Sequence, residues 1–200
     1  MITAALVVAG YLSGSLTFGY WLVRLFRGED VRTKGSGNVG ATNVWRVYGS
    51  RLGLPAAILD TAKGFAPALV ATIVVGHGSG VLAGAAAMLG HWRPLFLRFA
   101  KGGKMVATCG GVFFGVAIFV ALSAAAVWIV TVVLLRYASI ASIVAGIALP
   151  VFAAVYGYPL PVILFGAAAA LAILYLHRGN LRRLRAGTEH RFRLRRTANA

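Results

Sequence analysis

The longest polar stretch of the chain carries glycines at a spacing that suits a phosphate group. Gly35, Gly37 and Gly40 form a G-x-G-x-x-G pattern between two apolar segments. In a dinucleotide-binding fold this pattern follows a strand within a βαβ unit, and no such unit fits here, so that fold is excluded. Glycines nevertheless allow positive φ and let successive backbone amides converge on an oxyanion.

A short helix is expected directly after these glycines. Thr42 or Asn43 is predicted to cap it, and Arg46 lies one turn further along. A loop of this kind is suited to holding phosphate. The residues by themselves favour a phosphate-binding loop and an ordinary flexible loop about equally.

A second basic cluster contains the run Gly102-Gly103-Lys104. Lys104 is predicted to stand at the start of an apolar helix, where its ammonium and the first helix amides can act on one anion. Phenylalanines alternate with arginines just before this run, a pattern typical of a segment at the membrane surface. The other cations of the cluster are interpreted as anchors at that surface: Arg93, Arg98 and Lys101.

Several polar residues interrupt the apolar segments. Asp60 and Lys63 share one helical face, which favours a structural ion pair beneath the site over a pair exposed to a polar cavity. His177 and Asn180 have the same spacing and are predicted to face a cytoplasmic vestibule. Ser142 stands near the start of another apolar segment, where helix packing is the alternative interpretation.

Acidic residues are too few and too scattered for several kinds of chemistry. The four in the chain are Glu29, Asp30, Asp60 and Glu189, which excludes a carboxylate pair for glycoside hydrolysis and an acidic Mg²⁺ cluster. The single cysteine, Cys109, excludes an intrachain disulfide and favours inert packing. No zinc or nucleophile-elbow motif occurs either, so neither a metal nor a cofactor is expected. An enzyme of this kind would use cations and backbone amides on phosphorylated substrates.

The composition predicts an all-α, polytopic membrane protein. The 200 residues are 60% hydrophobic and 12% charged, with a mean hydropathy of +0.82, so most of the apolar surface must face lipid. Twenty Lys and Arg against four acids leave a net charge of +16. Anionic partners are therefore expected, namely phosphates and the headgroups of membrane lipids, and nucleic acid is not.

Hydropathy and charge together predict seven membrane spans. Apolar segments lie at about 2–23, 54–75, 80–92, 105–135, 140–156 and 160–176. The fourth would be about 46 Å long as a helix, too long for one crossing. If all the basic loops are cytoplasmic, this segment must turn near Leu122 and Ser123, with the N-terminus outside and the C-terminus inside.

The chain is expected to form one integral-membrane domain over residues 1–200, with a basic cytoplasmic tail at about 178–200. A signal peptide is the alternative for the first apolar segment, but the segment lacks a basic start and a small-residue cleavage site. Alanine- and glycine-rich helices are expected to pack closely. Weak self-association is left open.

Several segments together resemble the bacterial acyl-phosphate:glycerol-3-phosphate acyltransferase family, a group of small seven-span membrane enzymes. They lie in the family's order and extend over nearly the whole chain. The matching pieces are Asp30-Val31-Arg32, residues 35–43 with Arg46, Asp60 with Lys63-Gly64, Gly90-His91, Pro94, Phe96, Phe99, Gly102-Gly103-Lys104, Val106-Ala107-Thr108, Arg136-Tyr137 with Ser139 and Ser142, and His177, Asn180, Arg183-Leu184, Gly187 and Glu189.

The resemblance implies transfer of an acyl group from acyl phosphate to the 1-hydroxyl of glycerol-3-phosphate at the bacterial cytoplasmic (inner) membrane, giving lysophosphatidate and phosphate. It implies catalytic contacts from Lys104, Arg46, Ser142, His177 and Asn180. It implies further substrate contacts from Ser36, Gly37, Asn38, Gly40, Ala41, Thr42, Asn43, Gly102 and Gly103.

The activated donor requires no acyl-enzyme, so direct transfer is expected, with the acyl tail among the apolar helices. A substrate phosphate oxygen is the first candidate for the proton acceptor and His177 the second. Two residues depart from the family pattern. Met105 replaces a glycine, and Arg93 replaces an aromatic residue. The alternative function is a non-enzymatic transporter or lipid-binding protein for organic phosphates.

Overall fold

The computed structural model describes residues 1–192, and over that range its regular elements are all helical. This confirms the all-α class. Single 3₁₀ turns lie at Val31–Thr33 and Leu95–Leu97. The α-helices are α1 (Ile2–Ser15), α2 (Phe18–Arg27), α3 (Ala41–Tyr48), α4 (Ser50–Val74), α5 (His77–Trp92), α6 (Val106–Val116), α7 (Ile118–Leu135), α8 (Ala138–Val155), α9 (Leu160–Leu176) and α10 (Arg178–Arg185).

Four segments are long and apolar enough to cross a membrane: Ile2–Arg27, Ser50–Val74, Ile118–Leu135 and Ala138–Val155. The first combines α1 and α2. Helices α9 and α10 make a fifth only when taken together, and they are bent by 52°. Helices α5 and α6 have 16 and 11 residues, fewer than the ~20 of a full crossing. The seven-span topology therefore stays a prediction.

The predicted turn near Leu122 and Ser123 is wrong in position. Both residues lie inside α7, and the helical segment breaks instead at Ala117, whose backbone is not helical (φ −157°, ψ 76°). The hydroxyl of Ser123 is 2.7 Å from the hydroxyl of Tyr156. Since the residues around Ala117 are apolar, hydropathy does not predict the break.

Small residues bring the first helices into backbone contact, as predicted. A side chain at Gly14 of α1 would overlap the carbonyl of Ala87 in α5, and one at Gly111 of α6 would overlap the carbonyl of Thr61 in α4. In lipid the helices gain nothing from hydrophobic exclusion, so close packing of this kind supplies much of their association energy.

The predicted Asp60–Lys63 pair is observed, and Lys63 also contacts groups outside helix α4. The ammonium of Lys63 is 2.7 Å from the Asp60 carboxylate, 2.8 Å from His91 Nδ1 and 2.7 Å from the Leu16 carbonyl. That carbonyl lies at the break between α1 and α2, where its helical partner is missing. The pair therefore links α4 to α5, and Lys63 supplies the hydrogen-bond donor that the Leu16 carbonyl lacks at the break.

Candidate functional site

A cavity of about 620 Å³ opens between the loops and helices α3 to α10. Its polar wall brings together residues that are far apart in the chain: Ser36, Asn38, Thr42, Arg46, Lys104, Ser142, His177 and Asn180. Its apolar wall comes from helices α6 to α9 and includes Phe114, Trp128, Ile129, Val132, Leu149 and Ile173. One chamber thus combines cations with an apolar surface.

The glycine loop is held in shape by its own hydrogen bonds. Gly35 and Gly37 have φ of +57° and +70°, which L side chains rarely adopt. The amide of Ser36 donates to Asn43 Oδ1 at 2.9 Å, and the amide of Gly40 donates to Asn38 Oδ1 at 2.8 Å. The Gly37 amide donates to the Lys34 carbonyl. These three amides are already bonded, so they are not available to an oxyanion.

The capping prediction is also wrong. Helix α3 begins at Ala41 and its N-cap is Gly40, with no side-chain cap. Asn43 instead points back into the loop, where its amide nitrogen donates to the Asn38 carbonyl at 2.9 Å and the Lys34 carbonyl at 3.1 Å. Within the described residues the amides of Ala41 and Thr42 have no such partner, and both residues line the cavity. These two are the amides suited to an anion.

Gly102 and Gly103 serve packing. Their amides donate to the carbonyls of Trp92 and His91, at 2.8 and 3.0 Å. A side chain at Gly103 would overlap the His91 ring, which itself contacts Lys63. Bonded in this way, the two amides are not free to hold phosphate. Gly102 lines neither of the two main cavities, and Gly103 lines only the smaller one.

Lys104 lies where the loop between α5 and α6 meets helix α10. Its ammonium donates a hydrogen bond to Asn180 Oδ1. Burial lowers the pKa of Lys104 to about 8, and the positive charge of Arg183 adds to the shift. A bound anion stabilises the charged form of a buried lysine, because it replaces the stabilisation that water would give the ammonium.

The sequence interpretation did not assign Glu189 to the site, although it holds much of it together. Its carboxylate accepts from Asn180 Nδ2 at 2.6 Å, Ser139 Oγ at 3.0 Å and Arg183 Nε at 2.7 Å. Burial raises the pKa of Glu189, but these three donors outweigh it and the net pKa is lowered. The available signal was a lone acid within a strongly basic C-terminal segment.

The predicted tail is therefore part of the site. Residues 178–185 form α10, and the chain then returns across the cavity, where the Phe192 ring lies 5.7 Å from the Trp45 ring. The remaining tail residues, 193–200, lie outside the described residues. The loop, α8 and the C-terminal segment thus close one chamber.

Ser142 and His177 both line the cavity, and each hydrogen-bonds to a backbone carbonyl four residues earlier. Ser142 Oγ donates to the Ala138 carbonyl at 2.7 Å and accepts from Trp128 Nε1 at 3.2 Å. His177 Nδ1 lies 2.8 Å from the Ile173 carbonyl. Since a carbonyl can only accept, Nδ1 carries the proton and Nε2 of the neutral ring is an acceptor.

Met105, which replaces a glycine of the family pattern, does not continue helix α6. It precedes α6 in a left-handed conformation with φ of +68°. Its side chain is 4% exposed and belongs to the apolar core that includes Cys109 and Val112. Met105 is not among the residues lining the cavity in the described chain. It therefore neither touches lipid nor blocks the site.

Comparisons with known proteins identify the family of this chain. The glycerol-3-phosphate acyltransferase family model matches residues 4–187. A glycerol-3-phosphate acyltransferase of Aquifex aeolicus is 47% identical over 94% of this chain and 97% of its own length. One from Desulforudis audaxviator is 44% identical over 96% and 98%.

Solved structures give the same result. The crystal structure of PlsY, an integral membrane glycerol 3-phosphate acyltransferase, in its glycerol 3-phosphate form superposes with a TM-score of 0.92, at 44% identity over 96% of both chains. Its lysophosphatidic acid form superposes with a TM-score of 0.89, at 42% identity over 97% of both chains. The chain therefore belongs to the glycerol-3-phosphate acyltransferase family.

Proposed function

We propose that the protein transfers an acyl group from an acyl phosphate to the 1-hydroxyl of glycerol-3-phosphate, giving lysophosphatidate and phosphate. One observation carries the proposal: Arg46, Lys104 and Asn180 share a chamber with an apolar wall formed by helices α6 to α9. The cations suit the phosphates of both reactants, and the apolar wall suits a fatty acyl chain. The relatives named glycerol-3-phosphate acyltransferase support the same activity.

The polar wall suggests a division of roles. Arg46 and Lys104 neutralise the phosphate charge, and the free amides of Ala41 and Thr42 add two donors at the N-terminus of α3. Asn180 orients the Lys104 ammonium, since the two are hydrogen-bonded. Ser142 and His177 add polar contacts from α8 and the end of α9.

The transfer is direct in this proposal. The glycerol oxygen forms a bond to the acyl carbon, and the bond from that carbon to the phosphate oxygen breaks. The hydroxyl proton passes to a phosphate oxygen, so the products are an ester and hydrogenphosphate. His177 Nε2 is the second candidate for the proton acceptor. Developing negative charge is stabilised by cations already in place.

We place the protein in the bacterial cytoplasmic membrane, as one domain of seven spans with its N-terminus outside. The basic loops and α10 then face the cytoplasm, which agrees with the positive-inside rule. The chamber's polar wall lies on that side, where glycerol-3-phosphate is dissolved.

The experiment that tests the function measures phosphate released from acyl phosphate by the purified protein, with and without glycerol-3-phosphate. We expect release that depends on glycerol-3-phosphate and forms lysophosphatidate in equal amount. The Lys104→Ala variant is the matched control for contaminating activity. Binding of glycerol-3-phosphate without any release would show instead a transporter or lipid-binding protein for organic phosphates.

A further inference from the structure

A second cavity of about 310 Å³ adjoins the first. Lys104, Asn180 and Ser36 line both, so the two spaces meet at the lysine. The loop after α5 and helix α10 supply the other walls. Cations dominate the lining of the second cavity: Arg93, Lys101, Lys104, Arg178, Arg182 and Arg183. No carboxylate of the described chain lines it, so it is a strongly positive space.

Some of these cations already have partners. Arg93 donates to the Phe99 carbonyl at 3.4 Å, Arg178 donates to the Tyr175 carbonyl at 3.0 Å, and Arg183 is paired with Glu189.

Lys101 and Arg182 differ from them. Over residues 1–192 neither side chain has a hydrogen-bond or ion-pair partner, although both line this cavity from different elements. Both are solvent-exposed cations on the lining of the cavity that also contains Lys104, and several positive charges on one lining attract an anion. Their arrangement is therefore suited to a small dianion.

The geometry points to this second cavity as the receiving site for the phosphate that leaves the acyl donor, an inference that rests on the proposed function. In the transfer, the acyl carbon loses its bond to the phosphate oxygen, and the phosphate departs with the glycerol proton as hydrogenphosphate. The glycerol-3-phosphate anion must be bound at the same moment. Since two dianions in one space repel each other, a second positive space across Lys104 separates them.

The linings of the two cavities suit different ligands. The first has Arg46 and the apolar wall, and so suits glycerol-3-phosphate together with the acyl chain. In the second, the large apolar and aromatic side chains are only Trp92, Tyr175 and Leu176 among the described residues. It has little surface for an acyl chain, and its cations suit a small phosphate anion that exits to water.

The test uses two matched double variants of the full chain. Lys101→Gln with Arg182→Gln removes the unpaired cations. Arg98→Gln with Arg185→Gln removes two charges from the same loop and the same helix, outside both cavities. Inhibition of acyl transfer by added inorganic phosphate is measured for each at constant ionic strength. A second measurement follows the rise in melting temperature caused by inorganic phosphate, which requires no turnover.

For the unaltered protein we expect phosphate to compete with acyl phosphate. In the Lys101/Arg182 variant the inhibition constant for phosphate should rise by about tenfold or more, because two charges that attract the anion are lost. Thermal stabilisation by phosphate should fall in parallel. The Arg98/Arg185 variant should change by less than about twofold in both measurements.

Three results would overturn the inference. These are an unchanged inhibition constant in the Lys101/Arg182 variant, equal weakening in both double variants, and competition of phosphate with glycerol-3-phosphate alone. Equal weakening would mean that diffuse surface charge binds the anion. Failure of the proposed function looks different, because the unaltered protein would then release no phosphate in response to glycerol-3-phosphate.

Discussion

The ammonium of Lys104 donates a hydrogen bond to the side-chain amide oxygen of Asn180, 76 positions later in the chain. This bond joins the loop between α5 and α6 to the C-terminal helix α10. Glu189 holds the nitrogen of the same amide. The lysine's position is therefore set by a helix that hydropathy alone would assign to a solvated tail.

Removing either cation of the chamber should disable the reaction. Lys104→Ala and Arg46→Ala should each lower kcat/KM for glycerol-3-phosphate by about 10²-fold or more, because a charge-assisted contact in a shielded site is worth about 1.5–3 kcal/mol or more. Steady-state kinetics with varied glycerol-3-phosphate checks this. Arg185→Ala, an exposed arginine of α10, is the control and should have little effect. Equal losses in all three would mean that diffuse charge governs activity.

The pKa of Lys104, lowered to about 8 mainly by burial, predicts an alkaline limit. Below that pH the lysine is charged and binds phosphate, and above it the charge is lost. The kcat/KM for glycerol-3-phosphate should therefore fall as pH rises through about 8. Lys104→Arg stays charged at all these pH values, so its profile should be flat there, whatever its absolute rate. A matching decline in the arginine variant would assign the limit to another group.

Direct transfer predicts that no acyl group becomes attached to the protein. Ser142 donates its proton to a backbone carbonyl, and Cys109 is buried in the apolar core, so neither is an activated nucleophile. Cys109→Ala should retain activity, and intact mass spectrometry of protein quenched during turnover should show no adduct. An adduct that glycerol-3-phosphate removes would give Ser36 or Ser142 the nucleophile role.

The predicted topology can be tested across one helix. Ser50 begins α4, which is 25 residues long, or about 37 Å at 1.5 Å per residue. Gly78 lies just beyond the other end of α4, with open space around it. Single cysteines at these positions in a Cys109→Ser background should label from opposite sides of the membrane. Labelling of both from the same side would contradict the seven-span arrangement.

Met105→Gly should lower stability more than it changes activity. The substitution relieves a left-handed backbone worth about 1–2 kcal/mol, but it removes a buried side chain worth about 2–5 kcal/mol. The expected result is a lower melting temperature with turnover within a few-fold of the original. If glycine instead raised acylation by orders of magnitude, methionine would have to block the chamber.

Much of the architecture follows from residue types alone. The apolar composition requires helices against lipid, because lipid cannot satisfy open backbone groups. The spacing of Asp60 and Lys63 places them on one helical face, and they do pair. The scarcity of acids beside many cations already indicated phosphate chemistry, and Lys104 stood out by its position before an apolar helix.

The partners of individual atoms were decided only by the tertiary structure. The amides of Gly102 and Gly103 donate to carbonyls at the end of α5, and the Asn43 side chain donates back to its own loop. The Glu189 carboxylate accepts from three side-chain donors. Met105 adopts a left-handed backbone, and its side chain packs into the core. Hydropathy and charge are averages over neighbouring residues, whereas a hydrogen bond or a backbone break depends on which distant atoms the fold brings within about 3 Å.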